Sequence, residues 1–407
     1  MIFKTLLNFI KVFIINIFLL IVFGIASIYF LEYYFKVKNE NDYLLKDDVM
    51  FFGYQTEKPM MHTQDLYPYT NFHIQSNYSL EMPNLISSWP DYYDNMKYVS
   101  GDNGFFTDFN LNDISKKKSN EYRIILTGGS GAQGWGASKN DKMFYTLLEK
   151  KLQNKFSDRK ITLINLAMGG SVTYENFIAL NKWGHKIDPD LIISFSGNND
   201  LNFPLMSNSD TSHYYYNLMG LLESTKTSNS KFKIFLAKYF PHINKSEIGF
   251  AINFINIKNN VILARNKYLR NNYADKNDIV DNYIHAIKSI QRDFPEIPFI
   301  LAIQPSTGFI DKIAEGLADN DKKYNLSDGR YERNEKLIEL YKMTIKELYT
   351  GKHIELNNFI DFNEIFLINK YFTSRNLIDF CHLADEGHQI VADELGNFIE
   401  KIILKND

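Results

Sequence analysis

A chain of 407 residues, 45% of them hydrophobic, is long enough to bury one large core with additions. Its net charge of −3 removes wholesale nucleic-acid binding from consideration. Its single cysteine, Cys381, excludes an intrachain disulfide framework and a cysteine-cluster metal site.

The chain opens on an apolar run. From Val12 to Leu31 there is no charge, and Asn16 is the only strongly polar residue. About twenty such residues cross a bilayer core as a helix. Lys4 and Lys11 precede the run, and Tyr29, Tyr33 and Tyr34 suit an interfacial aromatic belt. Residues 1–38 are therefore expected to form an uncleaved N-terminal membrane anchor. A cleaved signal sequence is the alternative, because Gly24-Ile25-Ala26 has the small-x-small form of a cleavage site. Either reading places the remainder outside the cytoplasm, although Lys36, Lys38 and Lys46 weaken the positive-inside argument for orientation.

Residues 39–120 are polar and aromatic without a sustained period, and Pro59, Pro68, Pro83 and Pro90 interrupt them. They read as an irregular arm, closed by a solvated loop at Lys116-Lys117-Lys118-Ser119-Asn120. After it the pattern changes. Strands are predicted over Tyr122–Leu126, Ile161–Leu166, Leu191–Phe195 and Pro298–Ile303, with a weaker fifth over His353–Phe359. Helices are predicted over Met143–Phe156, Val172–His185, Tyr331–Leu348 and Ala384–Ile403. Short apolar strands alternating with helices imply a parallel sheet covered on both faces, an α/β domain over 121–407. The tract 201–293 is too long for one crossover and reads as a helical insertion.

Four motifs fall where such a sheet binds ligands, beyond the C-terminal strand ends and before the last helix. They are Gly128-Gly129-Ser130, Asn165 through Ser171, Gly197-Asn198-Asn199-Asp200, and Asp379-Phe380-Cys381-His382. Acyl transfer needs a nucleophile, a base, a group that orients the base, and donors for the oxyanion. Ser130 is the candidate nucleophile, on a tight glycine turn. His382 is the candidate base, and Asp379, three residues earlier, is its candidate partner. The backbone N–H groups of Ser130 and Gly170 and the side-chain amide of Asn199 are candidate oxyanion donors, with Gly169 the alternative to Gly170.

With these four blocks the chain resembles the SGNH/GDSL hydrolase family over residues 121–407, the insertion lying outside the family core. One departure is visible: Gly129 stands where the family name implies aspartate, a change that removes no catalytic atom. The resemblance implies a three-layer α/β/α, flavodoxin-like fold around a five-stranded parallel sheet. It also implies ester hydrolysis or acyl transfer through Ser130, without metal or organic cofactor.

Rival readings exist for most of these residues. Gly129-Ser130-Gly131-Ala132-Gln133-Gly134 fits the dinucleotide fingerprint, but the second strand ends in Asn165-Leu166-Ala167 and supplies no acidic residue for a ribose. The segment Trp135–Asp141 also separates those glycines from the next predicted helix. No Gly-Lys-Ser/Thr occurs, which excludes a P-loop. Asp200 reads as a loop-holding residue, His388 as structural on the last helix, and Cys381 as small buried packing. Trp135, Tyr174, Trp183 and Tyr214-Tyr215-Tyr216 are sugar-stacking candidates whose bland alternative is core packing.

The expected function is a serine-dependent esterase acting on acyl esters, O-acetyl in the first place, of a cell-surface glycan or a small acylated molecule. The chain would be tethered by its N-terminal helix, with no nucleic-acid partner. The alternatives are an O-acyltransferase for surface polysaccharide, a lipid esterase or thioesterase, and a non-catalytic glycan-binding module.

Overall fold

The computed structural model describes residues 95–101, 103–207, 275–310, 330–351, 358–373, 375–378 and 380–406, and parts of 11–83. The chain divides into two units, 1–47 with 218–267 and 48–217 with 268–407. The fold below is that of the second. The residues described between 11 and 34 are helical, but among the described residues no helix is long and apolar enough to cross a membrane. The expected transmembrane helix is thus not found among them, and much of the 1–38 segment lies outside them.

The second unit is built on β5 (Glu121–Gly128), β6 (Lys160–Asn165), β7 (Leu191–Ser196), β8 (Phe299–Ile303) and β9 (Phe359–Asp361). These pair in parallel in the order β6-β5-β7-β8-β9. Their near-continuous apolar runs suit strands buried on both faces. Alternation along each strand divides the core. Ile124, Leu126, Leu163, Ile193, Phe195 and Ile300 face one side, while Ile125, Ile164, Ile192, Leu301 and Ile303 face the other.

Helices cover each face. On the first lie α2 (Phe144–Lys155), α7 (Phe362–Ile368) and α8 (Asp385–Asn406), through residues such as Leu148, Leu152, Phe366, Val391 and Leu395. On the second lie α3 (Thr173–Ala179), α5 (Lys276–Asp293) and α6 (Arg330–Thr350). The helix α5 shows why such segments form. Asp275 caps it by accepting from Asn277 N, and Ile279, Val280, Tyr283, Ile284, Ile287 and Ile290 make one apolar stripe. It ends at Phe294, before Pro295. After α3 the chain passes through a π-helical turn, Leu180–Gly184, and a last turn, His185–Ile187, so the single helix predicted over Val172–His185 is interrupted.

In the tract read as a helical insertion, about 201–293, the described flanks are helical: α4 (Asn198–Ser207) and α5 place Leu201 and Ile284 in the core, and 208–274 lie outside the described residues. Two further expectations change. The fifth strand is short and late, Phe359–Asp361, with 352–357 outside the described residues. The 39–120 arm is not wholly irregular. It contains two antiparallel pairs, β1 (Gln64–Leu66) with β2 (Phe72–Ile74) and β3 (Ser79–Pro83) with β4 (Asn95–Val99). From β4, the fully buried Tyr98 donates to Ala137 O at 2.7 Å and accepts from Gly136 N at 3.2 Å. The arm therefore braces the loop that follows Ser130.

At the end of the sheet opposite the candidate site, the buried Arg123 guanidinium is held through both terminal nitrogens. It donates to Ile187 O at 2.7 Å, Ser115 O at 3.0 Å and Glu121 Oε2 at 2.9 Å. Burial alone would raise the Glu121 carboxyl, but its hydrogen bonds from Arg123 and Thr162 outweigh that and hold it below its ordinary value. Breaking a buried pair strands the surviving charge. Arg123→Leu is expected to lower unfolding free energy by about 3–5 kcal/mol, read as a fall in urea midpoint at unchanged m-value.

Candidate active site

The strand β5 delivers the chain into Gly128-Gly129, and Ser130 opens a single helical turn, α1 (Ser130–Gln133). The sequence pattern predicts the first helix after the glycines only beyond Asp141, and the structure adds this turn. Ser130 is 5% exposed and His382 is 7% exposed. His382 Nε2 lies 2.7 Å from Ser130 Oγ. For Nε2 to accept the serine proton, the ring must carry its own proton on Nδ1. Nδ1 lies 3.9 Å from Cys381 Sγ, and Cys381 itself is buried, as small packing requires. Asp379 lies outside the described residues.

The expected oxyanion elements gather around the same turn. Gly170 is buried with φ of 73°, a left-handed conformation that favours glycine. Next to it Ser171 Oγ donates to Gly128 O at 2.8 Å and lies 2.9 Å from Met168 O, which fastens this loop to the end of β5. Asn199 Nδ2 donates to Ser171 O at 2.8 Å. A methyl group on Gly129 would come within 2.4 Å of that same Nδ2. The glycine that departs from the family name thus lets the Asn199 amide approach the nucleophile turn.

Asp200 takes the loop-holding role. It accepts from Thr173 N at 2.7 Å and Gly197 N at 3.1 Å, and burial pushes its carboxyl up. Trp135 and Trp183 belong to the two cores, whereas Tyr174 is 52% exposed, and Tyr214-Tyr215-Tyr216 lie outside the described residues.

Residues that sequence reasoning passed over hold the loops together. Asp385, at the start of α8, accepts from Ser138 N at 2.7 Å and Ser138 Oγ at 2.8 Å. This clamp ties the helix after His382 to the loop after Ser130. His388, one turn further on and read from sequence as structural, is fully buried, stacks on Phe144 and accepts from Phe144 N at Nδ1. Periodicity signals that burial: His388, Val391 and Leu395 share the buried face of α8. Nothing in the local sequence distinguished Gln304, whose side-chain amide donates to Cys381 O at 2.7 Å.

Burial pushes the His388 imidazole down to about 3. In the unfolded chain it titrates near ~6.5, so the unfolded state binds the extra proton first as pH falls. Its contribution is therefore complete above pH ~6.5 and is lost progressively toward pH ~3. Between pH ~7 and ~4 this amounts to roughly 3 kcal/mol. His388→Gln, which keeps an acceptor and cannot be charged, is expected to flatten the acid limb of urea stability by about that amount.

Residues 126–390 match the GDSL-like Lipase/Acylhydrolase family. No functionally curated protein matches the chain. Among solved structures, the acetyl xylan esterase AlAXEase is 16% identical, with 67% of this chain and 97% of that one covered, at a TM-score of 0.35. A GDSL-like lipase from Bacteroides thetaiotaomicron is 11% identical, covering 72% and 93%, at 0.35. The lipase/acylhydrolase from Enterococcus faecalis is 13% identical, covering 69% and 95%, at 0.33. The family match is the one over residues 126–390. That match spans well over half of the chain, so the chain belongs to the GDSL-like lipase/acylhydrolase family and is a serine esterase of the SGNH type.

Proposed function

We propose that this esterase removes small acyl groups, O-acetyl above all, from a surface glycan through an acyl-Ser130 intermediate. The observation that carries the reading is the 2.7 Å approach of His382 Nε2 to Ser130 Oγ at the C-terminal rim of a parallel sheet. His382 takes the serine proton as Oγ attacks the acyl carbonyl. Asp379 holds the imidazole in the tautomer with its proton on Nδ1. The N–H groups of Ser130 and Gly170 and the second hydrogen of the Asn199 amide receive the tetrahedral oxyanion. The proton on His382 passes to the departing alcohol, and water then attacks the acyl-serine with His382 again as base.

The near-complete burial of Ser130 and His382 favours a small acyl group. Tyr174 supports a sugar-bearing alcohol. It is the exposed aromatic on the helix that follows the Ser171 loop, and Ser171 O is held by Asn199. The uncharged run from Val12 to Leu31 supports tethering at a membrane with the esterase domain outside the cytoplasm.

A p-nitrophenyl ester series from acetyl to decanoyl tests the reading on the purified full chain. The highest kcat/KM is expected at acetyl, with Ser130→Ala lowering kcat at least ~10³-fold and Asn199→Ala roughly 10²–10³-fold. Full turnover by Ser130→Ala ends the nucleophile assignment, and a maximum at long chains replaces the acetyl reading with a lipid-directed one. Acetate release from acetylated polysaccharide should fall severalfold in Tyr174→Ala while acetyl ester turnover is kept. On cell fractionation, the full chain should sediment with membranes and a chain starting at residue 39 should not.

A further inference from the structure

Gln304 follows directly on β8 and is 3% exposed. Its backbone is fixed on both sides. Its N–H donates to Ser196 O at 2.9 Å on the neighbouring strand, and its carbonyl accepts from Asn363 Nδ2 at 3.1 Å. Asn363 is itself immobilised, accepting from Ser306 N at 2.8 Å and donating to Asp361 Oδ1 at 3.1 Å. From this anchored position the side chain reaches two loops. Its Nε2 donates to Cys381 O at 2.7 Å, the carbonyl immediately before His382. Its carboxamide also lies flat against Gly131, where a methyl group would stand 2.4 Å from Nε2 and 2.9 Å from Oε1. Gly131 is the residue after Ser130.

We infer that Gln304 is a positioning residue that sets the Ser130–His382 separation by bridging the nucleophile turn and the base loop through one carboxamide. The two loops otherwise arrive from opposite ends of the domain sequence, and among the described residues between Ile378 and Ala384 the base loop carries no helix or strand, its own ties being the Ile378 N–H bond to His382 O at 2.9 Å and the Leu377–Leu383 bridge. The Thr307 N–H bond to Phe380 O at 2.8 Å holds that loop from the same β8 side, but one residue further from the imidazole. The carboxamide is the link that touches both partners. Gly131 lacks a side chain because any Cβ there would displace the amide. The inference rests on the acyl-serine reading above and adds a residue to it.

The test compares Gln304→Met, which keeps length and removes the donor, with Gln304→Glu, which can donate to Cys381 O only when protonated. On p-nitrophenyl acetate, Gln304→Met is expected to keep KM within about twofold and lose at least ~10-fold in kcat, since misplacement by ~1 Å can cost ~10²-fold. The rate of Ser130 labelling by a fluorophosphonate should fall in parallel. For Gln304→Glu, activity relative to wild type at the same pH should rise as pH is lowered from 8 to 5. A kcat within twofold of wild type in Gln304→Met, a loss carried by KM alone, or a pH-independent ratio in Gln304→Glu overturns the inference. If Gln304→Met does not fold, Gly131→Ala reads the same bridge from its other side: the kcat loss is expected there with Gln304 present, and an unchanged kcat overturns it. Absence of Ser130 labelling in the wild-type protein counts against the acyl-serine reading itself. Normal wild-type labelling with equally fast labelling of Gln304→Met counts against Gln304 alone.

Discussion

Ser130 and His382 are separated by 252 positions in sequence and by 2.7 Å between Oγ and Nε2. Holding two side chains at that distance is costly in conformational entropy, because neither resides in the middle of a regular element. The serine opens a four-residue helical turn, and the histidine belongs to an irregular loop. Their approach depends on how rigidly β5 and β8 are fixed, since those strands launch the nucleophile turn and Gln304 respectively. Both lie inside the sheet with partners on each side, so their pairing bonds are protected from solvent.

Backbone and side-chain bonds then transmit the rigidity of the sheet outward. Ser171 secures the glycine loop to Gly128, Asp200 secures the Asn199 loop through Thr173 and Gly197, and Asp385 secures α8 to Ser138. Each of these polar groups is buried or half-buried and finds backbone partners, which avoids the desolvation cost of an unmade bond. The reactive pair is thereby held by residues with no chemical part in acyl transfer. A family signature that names only the reacting groups leaves this supporting layer out.

The arm before β5 joins the same system. Tyr98 reaches from β4 beneath the Gly134–Ala137 loop and packs edge-on against Trp135. An aromatic ring with a satisfied hydroxyl contributes both apolar burial and a directional bond. Residues that looked like an appendage in sequence therefore help to shape the segment immediately following the nucleophile.

Much of this was legible in the chain itself. The apolar runs at β5 to β8 read as strands covered on both faces, and the parallel order places glycine-rich turns at one rim. Ser130, Gly170, Asn199 and His382 were singled out because those residue types at strand ends suit acyl transfer. What sequence could not express was distance across the fold. The short β9, the turn of helix at Ser130, the clamp between Asp385 and Ser138 and the bridge made by Gln304 arise from contacts between segments far apart in the chain. Local propensity carries no information about such contacts. A glutamine after a strand is an ordinary residue until the tertiary structure sets its amide between Gly131 and the carbonyl of Cys381. The sequence by itself determined the chemistry available and the layer architecture. Only the folded structure decided which side chains meet, because convergence is a property of packing and not of any single segment.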